Sequence, residues 1–104
     1  MANELPDPEK LRSDSEQIRL EFLNADLDLS FTFLDLAKTE LQLGDTDAAE
    51  RVLAKAENAH ATISRLSLKI SEGDEKASIE GRLCELSDGL GSLRRTIERQ
   101  KATG

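Results

Sequence analysis

The sequence predicts an all-α fold, an antiparallel three-helix bundle, from three observations. The 104 residues include 17 Leu and 11 Ala against one Val and five Ile, and 34% are charged, a composition that favours solvated helices over strands. Apolar residues recur three and four positions apart over long stretches. Two Gly-Asp joints, at Gly44 and Gly73, divide the chain into three stretches.

Each joint has the chemistry of a helix-to-helix turn. A Gly supplies the left-handed residue that ends one helix, and the following Asp accepts backbone N–H bonds at the start of the next. We therefore expect helices near residues 14–43, 46–71 and 75–99. The chain is short enough to form a single helical domain over residues 1–104, with flexible ends at 1–7 and 101–104.

The second and third stretches each carry a heptad seam, the apolar stripe along which neighbouring helices pack. The predicted seam of the second stretch is Ala49, Val52, Ala56, Ala59, Ile63, Leu66 and Ile70, with Leu53 beside it. The predicted seam of the third is Ile79, Leu83, Leu86, Leu90, Leu93 and Ile97. Seams of this length indicate helices of roughly 40 Å at about 1.5 Å per residue.

The first stretch is apolar over more than half of its helical circumference. Its seam is predicted at Ile18, Phe22, Ala25, Leu29, Phe33, Leu36 and Leu43. A neighbouring stripe holds Leu20, Leu27, Phe31, Leu34 and Leu41. Because a helix that packs against two others needs such breadth, we expect this helix to be central. Residues 24–30 alternate polar and apolar and are rich in cap-forming side chains, so a helix break there is the alternative.

The region around the first joint resembles a tetratricopeptide-type (TPR) helical hairpin. The residues that carry the resemblance are Phe33, Leu36, Ala37, the Gly44-Asp45 turn, Ala49, Leu53 and Ala56. Glu40 and Ala61 stand where that family has an aromatic residue and a Pro. The resemblance covers about a quarter of the chain, without a second repeat, and implies a helical hairpin with a protein-binding role.

Charge argues against nucleic acid and membrane surfaces as partners. The net charge is −7, whereas phosphate backbones and anionic lipids require a dense positive face. Residues 1–50 hold 13 acids and four bases, and residues 51–104 hold eight acids and ten bases, so the two halves should attract each other. A single cysteine and an acidic N-terminus predict a cytoplasmic protein. The expected partner is another protein or a second copy of the chain.

The third stretch has glycines inside its predicted helix, at Gly81, Gly89 and Gly91. Each costs about 1 kcal/mol relative to alanine, so a compensating role is expected. One interpretation is an outer strip of small residues that another helix approaches, formed by Ser78, Gly81, Cys84, Gly91 and Ser92. The alternative is a kink or break over residues 87–92. The Cys84 thiol is interpreted as inert because only Arg82 offers a local positive charge.

His60 is the only histidine. Its place in a long helix resembles the phosphoacceptor of histidine-phosphotransfer domains, and this resemblance implies, as an alternative function, a signalling domain that carries phosphate on His60. That family has Leu, Lys and Gly two to four residues after its histidine, where this sequence has Thr62, Ile63 and Ser64. A histidine at the edge of the seam is the simpler interpretation.

The remaining polar residues form no catalytic or metal-ligating pattern. Acids such as Asp26, Asp28 and Asp45 lack the donor spacing of a calcium loop, and no phosphate-binding Gly-rich loop is present. The basic run from Arg94 to Lys101 complements a helix dipole or faces the acidic first helix. We therefore expect a non-catalytic scaffold or adaptor, without metal or cofactor, that makes helix-on-helix contacts with another protein.

Overall fold

In the computed structural model the chain forms three helices joined by two short connections. The structure describes residues 8–103, with side chains from residue 15 onward. Helix α1 spans Pro8–Gln42, α2 spans Thr46–Ser67 and α3 spans Asp74–Thr103. Successive helices are antiparallel, all three pairs are in contact, and residues 8–103 contain no strand. The predicted all-α three-helix bundle is confirmed.

The turn between α1 and α2 has the predicted chemistry. Gly44 has φ +87°, a conformation that residues with a Cβ rarely adopt. Its N–H donates to the carbonyl oxygen of Leu41 at 3.0 Å, and the Asp45 N–H donates to that of Glu40 at 2.9 Å. The Asp45 carboxylate then accepts the Ala48 N–H at 3.0 Å and caps α2. The left-handed Gly and the capping Asp thus reverse the chain within a few residues.

The second joint differs from the prediction. Helix α2 ends at Ser67 rather than near residue 71, and the next three N–H groups donate to carbonyl oxygens three residues back, at 3.1–3.3 Å. This tighter turn carries Ile70 into the core, where it is buried. Gly73 does not have positive φ; its carbonyl accepts the Ala77 N–H at 3.0 Å and belongs to the start of α3.

Helix α1 is continuous through residues 24–30, so the alternative of a break there is wrong. The polar side chains that favour caps bond instead to carbonyl oxygens one turn back in the same helix. The Ser30 hydroxyl donates to the carbonyl of Asp26 at 2.8 Å, and the Asn24 amide donates to that of Leu20 at 3.1 Å. With its hydroxyl satisfied, Ser30 is fully buried without an orphaned donor.

The core confirms the α3 seam and half of the α2 seam, in which Ala49, Ala56, Ile63 and Ile70 are buried as predicted. All six predicted seam residues of α3 are buried. In α2 the buried apolar side chains are Ala49, Leu53, Ala56 and Ile63, whereas Val52, Ala59 and Leu66 are half-buried at the flank. The heptad positions of the α2 core therefore run through Leu53, His60 and Ser67 rather than through Val52, Ala59 and Leu66.

The predicted seam of α1 is wrong, because α1 turns the neighbouring stripe towards α2 and α3. The inward residues of α1 are Leu20, Leu23, Leu27, Ser30, Leu34, Ala37 and Leu41. Of the predicted seam, Phe33 is half-buried, and Ile18, Phe22, Ala25, Leu29, Leu36 and Leu43 are exposed. Ser30 and Ala37 lie on the inward stripe, and small side chains there leave room for the neighbouring helices.

Ion pairs join the acidic and basic halves of the chain. Arg82 of α3 binds Asp28 of α1, and its guanidinium lies 5.7 Å from the centre of the Phe31 ring. Arg94 and Lys101 of α3 bind Glu50 of α2. Helix α3 includes residues 101–103, and Gly104 lies outside the described residues. The predicted end at 1–7 lies outside the described residues.

Candidate functional site

The strip of small residues lies on the outer side of α3, away from the core. Ser78, Gly81, Cys84 and Ser92 are exposed and Gly91 is half-buried. Helix α3 is unbroken through residues 87–92, so the alternative of a break is wrong. The strip offers no large side chain to anchor a partner, and Cys84 is an exposed free thiol.

The glycines of α3 have different surroundings. A Cβ placed on Gly89 would lie 2.7 Å from Cδ2 of Leu34, so the absence of a side chain lets α3 approach α1 at this point. A Cβ placed on Gly81 would meet no atom within 4 Å. Close helix packing therefore explains Gly89, and no packing contact explains Gly81.

This difference predicts different effects of an alanine substitution on stability at the two glycines. We expect Gly81→Ala to raise the free energy of unfolding by about 0.5–1 kcal/mol, because alanine restricts the unfolded chain and favours helix. Gly89→Ala should gain less or lose stability, because Leu34 has to move. Urea denaturation of both variants measures the difference, and equal gains would contradict the close approach at Gly89.

The most distinctive surface is an apolar stripe on the outside of α1, here called the outer stripe. It consists of Ile18, Phe22, Ala25, Leu29, Thr32, Leu36 and Thr39 on the helix and of Leu43 directly after its last residue. Its five large side chains are 43% to 75% exposed. Scattered exposed apolar residues are normal, but a contiguous row of large ones is typical of an interaction site.

The outer stripe has the geometry of a coiled-coil seam. Phe22, Leu29, Leu36 and Leu43 recur at intervals of seven residues, and the smaller members stand between them at alternating steps of three and four. The stripe lies roughly 150° around α1 from the core stripe and runs for about 37 Å. The hydroxyls of Thr32 and Thr39 bond to carbonyl oxygens within α1, so they present no unpaired donor to a neighbour.

Two rows of charged residues border the outer stripe. One row is Glu21, Asp28 and Asp35, and the other is Arg19, Asp26 and Glu40. The border thus carries five carboxylates and one guanidinium. Only Asp28 forms an ion pair among the side chains that the structure describes. The outer stripe is therefore an apolar row with mainly negative charge along both of its borders.

His60 lies at an inward position of α2 and contacts α3. Its Nε2 is 3.2 Å from the carbonyl oxygen of Leu83, and because a carbonyl only accepts, Nε2 carries the proton in this contact. The ring is half-buried. The geometry therefore gives His60 a packing role between α2 and α3, with one ring nitrogen engaged.

The basic run at the end of α3 binds α2 rather than the acidic α1. Arg94 contacts Glu57 and Glu50, and Lys101 donates to Glu50 at 2.8 Å. Hydrogen bonding to Glu57 raises the pKa of Arg94, and hydrogen bonding from Lys101 lowers the pKa of Glu50 from its ordinary value of 4.5. These contacts tie the last turns of α3 to the first turns of α2.

The Glu50 contacts predict a stability loss in acid. Because the folded state lowers the pKa of Glu50, its contribution is present above pH 4.5 and disappears as pH falls through the folded-state value. We expect Glu50→Gln to be less stable than wild type at neutral pH and the gap to close below pH 4.5. Urea unfolding along a pH series measures this gap, and a gap that stayed constant would refute the role of Glu50.

The rest of the described surface was examined for metal-binding groups, pockets and membrane-spanning helices. No group of three or more His, Cys, Asp or Glu within that part of the chain is arranged to hold a metal ion. A depression of about 500 Å³ is lined by Arg95, Glu98, Arg99 and Ala102, all on α3. One helix supplies every lining residue, so the depression is a surface furrow. None of the helices, over the residues described, has the length and apolarity needed to span a membrane.

Comparison with known proteins finds no relative: no family model, curated protein or solved structure matches this chain. The TPR-like residues can still be placed in the fold. Ala37, Ala49, Leu53 and Ala56 are fully buried around the α1–α2 turn, Phe33 is half-buried and Leu36 is exposed. The outer stripe was visible in the sequence as apolar spacing, and the exposed row of Glu21, Asp28 and Asp35 beside it is a signal that could have shown that it faces outward.

Proposed function

We propose that this chain is a protein-binding module, an adaptor or scaffold, that receives a helix of another protein along the outer stripe of α1. The observation that carries the proposal is the row of exposed large side chains at heptad spacing. The core has its own separate stripe on α1, so the bundle does not need the outer stripe for its packing. A second helix with a matching heptad stripe would bury it.

The bundle suits this role because it presents α1 as a rigid element. The inward stripe of α1 is buried against α2 and α3 along most of the helix, from Leu20 to Leu41. A partner helix therefore docks onto a preformed surface and loses less entropy than it would with a flexible one. The strip of small residues on α3 lacks large anchors and serves as the comparison surface.

The test is selection of binding peptides from a displayed library of amphipathic four-heptad helices. The bait is the full chain, compared with the outer-stripe variant Leu29→Glu/Leu36→Glu and the α3-strip variant Ser78→Glu/Ser92→Glu. Both variants add two carboxylates at exposed positions, and circular dichroism checks that each is folded. We expect the selected peptides to bind the wild type and the α3-strip variant and not to bind the outer-stripe variant.

Three results would contradict the proposal. Peptides that still bind the outer-stripe variant would place the binding surface elsewhere, and loss of binding in the α3-strip variant alone would place it on α3. A library that yields no binder for the folded wild-type chain would also reject the proposed module.

A further inference from the structure

We infer that the partner helix is basic, with Lys or Arg along both borders of its apolar stripe. This inference rests on the proposed function and adds the charge of the partner. In paired helices, the residues that border the apolar seam face each other across it and select the partner by charge. The borders of the outer stripe carry five carboxylates against Arg19 alone.

The row of Glu21, Asp28 and Asp35 is exposed along its whole length. Asp28 is partly neutralised by Arg82, so the strongest free negative charge lies at the two ends of this row. On the other border, Asp26 and Glu40 are half-buried and stand fourteen residues apart. A helix with basic residues at the facing positions would meet a carboxylate in nearly every heptad.

A second copy of the chain fits this surface poorly. In a parallel pair of α1 helices, Glu21 of one copy faces Asp26 of the other, and Asp35 faces Glu40. In an antiparallel pair, Glu21 faces Asp35, and Asp28 faces Asp28 of the second copy. Like charges across a seam destabilise the pair. The border carboxylates that attract a basic helix therefore disfavour pairing of two copies of this chain.

The experiment uses three synthetic four-heptad peptides with Leu at the seam positions and Lys, Gln or Glu at all border positions. Binding to the full wild-type chain is measured by fluorescence anisotropy at about 50 mM and about 1 M NaCl. At low salt we expect the Lys peptide to bind at least about 30-fold more tightly than the Glu peptide, with the Gln peptide between them. At high salt the difference should shrink to about threefold, because counterions screen the borders.

A charge-reversal variant supplies the matched control. Glu21 and Asp35 are exposed and form no ion pair with the described side chains, so Glu21→Lys/Asp35→Lys should leave the fold intact by circular dichroism. This variant should lose at least about tenfold in affinity for the Lys peptide and gain affinity for the Glu peptide.

The outcomes separate this inference from the proposed function. The Lys, Gln and Glu peptides could bind equally well, with all binding abolished by Leu29→Glu/Leu36→Glu. This result would contradict a basic partner helix but would still support the outer stripe as the docking surface. A chain that binds none of the peptides but dimerises more strongly at high salt would assign the stripe to a second copy. Binding to phosphatidylcholine vesicles in place of peptides, lost in the Leu29→Glu/Leu36→Glu variant, would assign it to lipid. Either of the last two results would overturn the basic partner helix.

Discussion

Leu27→Ala is expected to lower the free energy of unfolding by about 2–5 kcal/mol, whereas Leu29→Ala should change it by less than about 0.5 kcal/mol. Both residues are leucines on α1, two positions apart, and both changes introduce the same helix-favouring alanine. Leu27 is fully buried and Leu29 is 51% exposed. Removing the Leu27 side chain therefore leaves a cavity between packed helices, and removing that of Leu29 does not.

Urea denaturation followed by circular dichroism measures both changes under identical conditions. The pair is informative because helix propensity, chain position and the change in composition are shared, so the difference reports burial alone. A similar loss of stability in both variants would mean that the outer stripe is covered by the chain itself. In that case the outer stripe would be part of the core and unavailable to a partner.

Ile63→Asp should unfold the bundle or lower its stability by more than about 4 kcal/mol. Ile63 is fully buried on α2, and a carboxylate there would have to be dehydrated without a cation beside it. The free energy of unfolding of a small domain is typically about 5–15 kcal/mol, so such a loss would remove a large part or all of it. The measurement is the helical signal and thermal midpoint of the purified variant.

Leu68→Asp is the matched control for this substitution. Leu68 lies just after the end of α2 and is 74% exposed, so an aspartate there stays hydrated. We expect this control to melt within a few degrees of the wild type. A folded Ile63→Asp variant with an unchanged melting temperature would show that Ile63 is not in the core.

The α3 helix was the most predictable part of the molecule. Its seam residues are all large and apolar, and its other positions are polar or small, so only one face can be buried. The turn at Gly44 was equally predictable, because a helix end in the left-handed conformation favours glycine. Both features depend on local chemistry that does not change with the arrangement of neighbouring helices.

The orientation of α1 was not predictable from apolar spacing alone. Both of its stripes keep heptad spacing, and the exposed one contains Phe22 and three evenly spaced leucines. The choice of inward face depends on fit: Ala37 and Ser30 of α1 and Ala56 of α2 are fully buried, and Gly89 of α3 accommodates Leu34. Such complementarity between helices is a property of the assembled bundle, not of one segment.

The prediction of the α2 seam was wrong only at Val52, Ala59 and Leu66, for a related reason. A stripe through Val52 and Leu66 and one through Leu53 and His60 differ by a small rotation of the helix, and both begin at Ala49. The rotation adopted places Leu53 in the core and lets His60 donate to the Leu83 carbonyl. A half-buried histidine at an inward position is favourable only because α3 supplies that acceptor, which spacing within α2 does not show.

The exposure of the outer stripe is tested most directly by thiol labelling of single-cysteine chains. With Cys84→Ser as the background, the variants L27C and L29C place one thiol on each face of α1, and their reaction with a thiol reagent is followed spectroscopically. The thiol at position 29 should react at least about a hundredfold faster than the buried one at position 27, which reacts only when the bundle opens. Adding the Lys-bordered peptide should slow the reaction at position 29. Equal and slow labelling at both positions in the chain alone would contradict an exposed apolar face on α1.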